Sequence, residues 1–289
     1  MKINLLILTT LLLTGIYSCS TEFVPVIEES SDETVILAEL EVGKDATLLI
    51  SSTFGSDGNI IRPASTDGEI RISNLTTNQL DKELRFDAKA GQWFQTSFSF
   101  AAGHELILTS EFNKVGLGET FSETVVPFEG SIINKAASPT NQENDGHFTI
   151  SLELEDKPEN NFYHLKPYVL NENNVLSYLD IENISHNGEA TFDLSHTDGI
   201  LIDYSLLQDD KRLIVDTKSK DLSNPSSSII HLELRSVPRD YYEFHKSITT
   251  QKETQQGPFD APIPTYTNIV GGQGIFVTYH KTIEQVSIQ

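Results

Sequence analysis

The 289-residue sequence predicts an all-β protein: an N-terminal immunoglobulin-like or transthyretin-like sandwich, a second β domain, and one short amphipathic helix. Three observations predict this class. Apolar residues recur with period two along most of the chain, turn-forming residues interrupt those runs at short intervals, and a single segment has helical spacing. With 38% hydrophobic residues, the chain carries enough apolar surface to build cores.

The first elements are not part of the fold. Met1 and Lys2 precede an apolar run from Ile3 to Leu13, broken only by Asn4, Thr9 and Thr10. That run is too short to cross a hydrocarbon core, which needs about 20 residues, so residues 1–18 read as a cleavable secretory signal. Gly15-Ile16-Tyr17-Ser18-Cys19 follows, with an apolar residue three places before the cysteine and a small one just before it, as a lipobox requires. Cys19 is the chain's only cysteine, so it has no internal disulfide partner, and lipidation accounts for a lone thiol in an exported protein. A thioether-linked diacylglycerol would bury many methylenes at about 0.8 kcal/mol each and hold the protein to a membrane. Residues 19–34 then form the lipidated cysteine and an acidic tether, with Glu22, Glu28, Glu29, Asp32 and Glu33 on it. Fully stretched, its 15 residues after the cysteine reach at most about 50 Å.

The formal net charge of −22 is spread along the length. Phosphate backbones require basic contacts, so nucleic acid is excluded as a partner. Anionic headgroups are repelled as well, which leaves the lipid on Cys19 as the means of membrane attachment.

Strands follow from residue 35. Ile36, Ala38, Leu40 and Val42 alternate with Leu37, Glu39 and Glu41; Ile70 and Ile72 flank Arg71; Phe94, Phe98 and Phe100 share a face with Thr96. Later, Phe148, Ile150, Leu152 and Leu154 oppose Thr149, Ser151 and Glu153, and Ile230, Leu232 and Leu234 oppose His231, Glu233 and Arg235. Each pattern predicts a strand with one face in a core and one in water. Turn residues at Ser56–Asn59, Asn144–Gly146, Asn187-Gly188, Asp198-Gly199 and Asp209-Asp210 separate them. A division near Pro127 leaves about seven candidate strands in residues 35–127, enough for one sandwich, and places the second β domain in 128–289.

The helix is expected near 238–250. Pro238 suits a first turn, Asp240 suits the positive end, and Tyr241, Phe244, His245 and Ile248 fall at i, i+3, i+4 and i+7. This stripe is expected to pack on the second sheet.

No reaction chemistry is legible. The eight histidines lack the spacing that sets two imidazoles on one metal, and most are expected at the surface or in caps. There is no Gly-x-Ser-x-Gly elbow, and the only thiol is assigned to lipid. Asn141 to Gly146 has the composition of a calcium loop, but Leu152 stands where the bidentate glutamate belongs, so it reads as a solvated turn. No catalytic residue, metal or cofactor is therefore expected. A carboxylate pair distant in sequence would escape this search.

The run 257–276 is the most distinctive segment. Pro258, Pro262 and Pro264 stiffen an extended stretch, Asn268 can bond local backbone, Gly271 and Gly272 can supply positive φ, and Gly274 can admit a neighbouring backbone at a strand start. Ile275, Val277 and Tyr279 then alternate with Phe276, Thr278 and His280. A phosphate loop is excluded, because no Lys-Ser/Thr follows and the next element is a strand. Pro258-Phe259, Tyr266-x-Asn268-Ile269 and Gly271-Gly272-x-Gly274-Ile275-Phe276, with the lipobox, the aromatic helix, and Pro63-Ala64-Ser65 before the Glu69–Ser73 strand, resemble domain of unknown function 4249. Val270 stands where that family commonly has an acidic residue, and Val277 where it has a small one. The resemblance covers nearly all of the mature chain. It implies an outer-membrane lipoprotein of Bacteroidota, on either face of the membrane, whose relatives are often encoded beside TonB-dependent transporters; it implies no known reaction and no ligand.

Three functions follow as expectations. The first is a non-catalytic accessory protein supporting ligand capture or assembly of a TonB-dependent transporter. The second is a cell-surface glycan or peptide hydrolase with an unrecognised carboxylate pair, and the third an adhesion or scaffold module.

Overall fold

The computed structural model describes residues 33–289 apart from 53–67, 96–97, 114–117, 141–145, 156, 158–160, 172, 186–189, 195–198, 208–210, 220–228 and 255–263. The expected signal segment, Cys19, most of the expected tether, Pro63-Ala64-Ser65, residues 141–145 of the calcium-like loop, Pro258, Phe259 and Pro262 lie outside the described residues, as do the turns at 56–59, 187–188 and 209–210.

The protein is mostly β, with several sheets and one α-helix among the described residues. Among the described residues, its largest sheet has ten strands. Six belong to the C-terminal half: β11 (Phe162–Leu170), β12 (Leu176–Tyr178), β14 (Thr191–Asp193), β15 (Ile200–Asp203), β17 (Ile229–Val237) and β18 (Gly272–Ser287). Four belong to the N-terminal half: β1 (Thr34–Glu41), β2 (Ala46–Ser52), β5 (Arg85–Asp87) and β6 (Gln92–Gln95). Their order is β14-β15-β11-β17-β18-β1-β2-β6-β5, with β12 paired to β11. One four-stranded sheet, β4-β3-β7-β8, comprises β3 (Gly68–Asn74), β4 (Gln79–Glu83), β7 (Glu105–Phe112) and β8 (Thr120–Val125). Another, β13-β16-β10-β9, comprises β9 (Ile132–Pro139), β10 (His147–Leu154), β13 (Asp180–Ser185) and β16 (Arg212–Lys218).

Each four-stranded sheet covers one part of the large sheet. Ile36, Ala38, Leu48 and Ile50 meet Ile70, Ile72, Leu106 and Leu108 in the first core, around a fully buried Trp93. Phe148, Ile150, Leu152 and Leu154 meet Ile230, Leu232 and Leu234 in the second. Burying each such side chain stabilises the fold by roughly 1.5–3 kcal/mol before conformational entropy is subtracted. The predicted apolar faces of β1, β3, β10 and β17 are thus the buried ones.

The expected strand through Phe94, Phe98 and Phe100 is different. Trp93, not Phe94, faces the core, where it packs against Phe86 and Phe112. β6 ends at Gln95, and Phe98 and Phe100 are buried outside any strand. Pairing Trp93 with Leu48 and Phe86 gives the largest ring the interior position, and period two sends its neighbour Phe94 the other way.

The last strand links the two halves. Residues 272–279 of β18 pair in parallel with β1, and residues 280–287 pair antiparallel with β17. The passage from one half to the other runs through Val126–Gly130, around Pro127, and β18 spans it in space. Helix α1 (Arg239–Thr254) lies on the opposite face of the large sheet from the cores, over Ile275, Val277 and Tyr279 of β18. It starts one residue after Pro238, whose carbonyl accepts the first helical bond from Tyr242, and runs four residues past the expected end. Among the described residues, no helix is long and apolar enough to cross a membrane.

Candidate functional site

The richest group of ionisable side chains lies where α1 crosses the large sheet. Alternation places Glu39 and Glu41 of β1, His164 and Lys166 of β11, Glu233 and Arg235 of β17, and Tyr279 and Lys281 of β18 on the face turned away from the cores. α1 covers part of that face with Tyr241, Phe244 and His245, the stripe read from its spacing. The register expected water on this side of β17. Instead, Glu233 is 6% exposed and His164 2%, because the helix and its neighbours replace solvent there.

The seam is closed by specific pairs. Arg235 Nε donates to Glu233 Oε1 at 2.7 Å, and the guanidinium lies 4.7 Å above the Tyr279 ring. Tyr241 OH sits 2.8 Å from His164 Nδ1 and accepts from an Arg235 terminal nitrogen at 3.4 Å. His245 Nε2 is 2.9 Å from Glu39 Oε1, joining the helix to β1. Lys281 Nζ reaches Glu41 Oε2 at 2.8 Å, and Tyr279 OH donates to the same oxygen at 3.3 Å. The His245 and Tyr241 rings are 4.2 Å apart, with His164 5.8 Å from Tyr241. Beyond the helix, Tyr168 stacks on His231 at 4.9 Å and Lys166 lies 4.6 Å over Tyr178.

Electrostatics follow from this geometry. Burial pushes the Glu39 carboxyl up, but the His245 hydrogen bond and charge, then Arg235 and Lys166, outweigh it and hold the group below its ordinary value. Burial raises the Tyr241 phenol strongly, and raises Tyr279 to about 12, so both remain protonated donors near neutrality. Burial lowers the Arg235 pKa less than Tyr241, Glu233 and Tyr279 raise it, so it stays charged. A general acid needs a raised carboxyl pKa, whereas Glu39 is shifted the opposite way. Among the described residues, no three His, Cys, Asp or Glu side chains converge to hold a metal.

A carboxyl whose folded pKa lies below its unfolded value of 4.5 stabilises the fold above that pH and loses the contribution as pH falls through the folded value. The urea midpoint is therefore expected to drop below about pH 4.5, and Glu39→Gln is expected to flatten part of that drop. An unchanged acid limb in Glu39→Gln would show that the His245 pair contributes nothing.

The distinctive C-terminal residues gather beside the seam, at the start of α1 and β18. Asn268 acts as a side-chain strand: its Nδ2 donates to the Phe276 carbonyl at 2.8 Å and its Oδ1 accepts the Phe276 N–H at 2.9 Å. The same amide reaches Asp240 at 3.3 Å, and Tyr266 OH donates to the other Asp240 oxygen. Burial and that hydrogen bond raise the Tyr266 pKa to about 12. Ser122 Oγ donates to the Asn268 carbonyl at 2.8 Å. Tyr266 and Asn268 thus tie the first turn of α1 to β18, and Phe276 fills the first core. Gly271 has the expected positive φ of +80°. Gly272 does not: it permits close approach to the Thr34 carbonyl instead, while Gly274 combines φ +100° with close approach to Ile36. The seam has no sequence pattern of its own, since its members are isolated polar residues on four strands and a helix. Asn268→Ala is expected to lower stability by about 2 kcal/mol, two net hydrogen bonds, in a urea titration. A loss below about 0.5 kcal/mol would show that solvent replaces them.

Among curated proteins, no relative matches the chain. The family profile described as Domain of unknown function (DUF4249) matches residues 20–285, from just after Cys19 into β18. The chain, with its C-terminal latch and helix-covered seam, belongs to that family.

Proposed function

We propose that the protein is a lipid-anchored, non-catalytic accessory protein of the outer membrane of a Bacteroidota cell, supporting ligand capture or assembly of a TonB-dependent transporter. The observation that carries the non-catalytic reading is the pairing within the seam. Glu41 and Glu233 are committed to Lys281 and Arg235 of the same face, and Glu39 to His245 of α1, so the group fastens a helix to a sheet. The lipobox at Gly15 to Cys19 supports the anchor, and the family resemblance supports the membrane and the transporter. The first pair of layers is read as an immunoglobulin-like or transthyretin-like sandwich, a scaffold suited to presenting surfaces.

Two measurements test this. Cells fed radiolabelled palmitate are expected to label the chain, and Cys19→Ala is expected to abolish labelling and release the protein from membranes; an unlabelled parent chain overturns the anchor. An affinity-tagged chain recovered from detergent-solubilised membranes is expected to bring down a TonB-dependent transporter. Recovery of none, relative to an untagged control, overturns that part.

A further inference from the structure

We infer that the outer face of the β4-β3-β7-β8 sheet docks an extended, basic peptide segment of a partner protein, with apolar side chains set between its lysines or arginines. The inference deepens the accessory reading by giving the chemistry of the partner's contact.

Period two places Ile107 and Thr109 of β7 and Phe121 and Val125 of β8 on this face, away from the first core. Phe121 is 37% exposed and Val125 53%. The sheet is extended sideways by a bridge between Phe121 and Val270, and Val270 is 67% exposed. Two grooves open on the face. One, of about 530 Å³, runs past Phe121, Val270 and Arg71; the other, of about 330 Å³, runs between Val125, Leu75 and the start of α1 at Pro238.

The charge around these apolar groups is predominantly acidic, with Arg71 beside the first groove and Arg239 at the end of the second. Glu69, Glu83, Glu105, Glu111, Glu119 and Glu123 surround them, and Arg71, the one basic residue among the described residues of β3, β7 and β8, is paired to Glu69. Glu69 and Glu111 are direct cross-strand partners, an arrangement that costs stability in isolation and is relieved by a cationic ligand. Along β8 and the residue before it, the outward order is Glu119, Phe121, Glu123, Val125. The complement is cation, apolar, cation, apolar at every second residue, which an extended chain presents on one side.

The size favours a segment over a folded domain. Four strands about 4.8 Å apart and about 24 Å long offer on the order of 500 Å², below the ~800 Å² per partner of a standard interface. Carboxylates around the apolar stripe would steer the cations to it, so the affinity falls with salt.

The probe is fluorescein-labelled Lys-Ser-Phe-Ser-Lys-Ser-Val-Ser-Lys, titrated with the purified full-length chain and read by anisotropy. Saturable binding is expected, weakened about tenfold or more by Glu111→Lys/Glu123→Lys, by Phe121→Ser/Val125→Ser, and by raising salt from about 50 to about 300 mM. Glu153→Lys, on the other four-stranded sheet, is expected to leave it unchanged. Absence of saturable binding overturns the inference. So does equal binding of Lys-Ser-Ser-Ser-Lys-Ser-Ser-Ser-Lys, which would reduce the face to a general cation attractor, or unchanged affinity in either double variant. Peptide binding without transporter recovery leaves the docking face standing and removes the transporter; the converse removes the docking face alone.

Discussion

Replacing Arg235 with leucine is expected to lower the free energy of unfolding by about 3–5 kcal/mol, the cost of leaving a buried carboxylate without its counter-charge. Glu233 has 6% of its surface exposed and accepts at 2.7 Å from Arg235 Nε. The substitution also removes the guanidinium from above the Tyr279 ring and from Tyr241 OH. The companion variant Glu233→Met/Arg235→Leu removes both charges and is expected to recover most of the loss, since an apolar pair of similar volume has no desolvation cost. Urea denaturation of the parent, the single and the double variant measures both effects. A single-variant loss below about 1 kcal/mol would show that water reaches Glu233 and that the seam behaves as surface.

Gly274→Ala is expected to cost at least about 3 kcal/mol, through φ strain and a backbone clash acting together. Gly274 holds φ +100°, and a Cβ there would lie 2.0 Å from the Ile36 carbonyl oxygen, inside the parallel pairing of β1 with β18. Relief would require separating the two strands that join the halves of the large sheet. Gly43→Ala supplies the comparison: φ is +82°, but nothing lies within 4 Å of the added carbon. Its expected cost is about 1 kcal/mol, from strain alone. Thermal denaturation followed by circular dichroism compares the two. Equal shifts would show that close approach to Ile36 adds nothing.

Several elements were legible because their causes are local. Ile36, Ala38 and Leu40, or Phe148, Ile150 and Leu152, alternate so cleanly that a one-residue slip would put charges in the core. Tyr241, Phe244 and Ile248 mark the buried stripe of α1, although the helix runs to Thr254 because no Pro or Gly stops it earlier. Phe94 misled because it has the same pattern as a core residue, and only the pairing of Trp93 with Leu48 decides between the two rings. Gly272 misled similarly: a glycine needed for close approach and one needed for positive φ are the same letter.

The seam was invisible for a different reason. Period two reports which side of a strand is apolar, and His231, Glu233 and Arg235 were rightly placed opposite the core. It does not report what lies over the polar side. α1 covers it in part, and Glu39 and His245, which hold that cover in place, are 206 residues apart.

Local stereochemistry therefore settled the helix and the buried sides of β1, β3, β10 and β17, since alternation and turn residues act over a few positions. Folding in three dimensions decided the rest: the parallel joining of β1 to β18, the burial of a polar strand face beneath the helix, and the gathering of Tyr266, Asn268 and Asp240 into a latch. Those outcomes depend on contacts between distant segments, whose free energies exist only once the layers have assembled and excluded water.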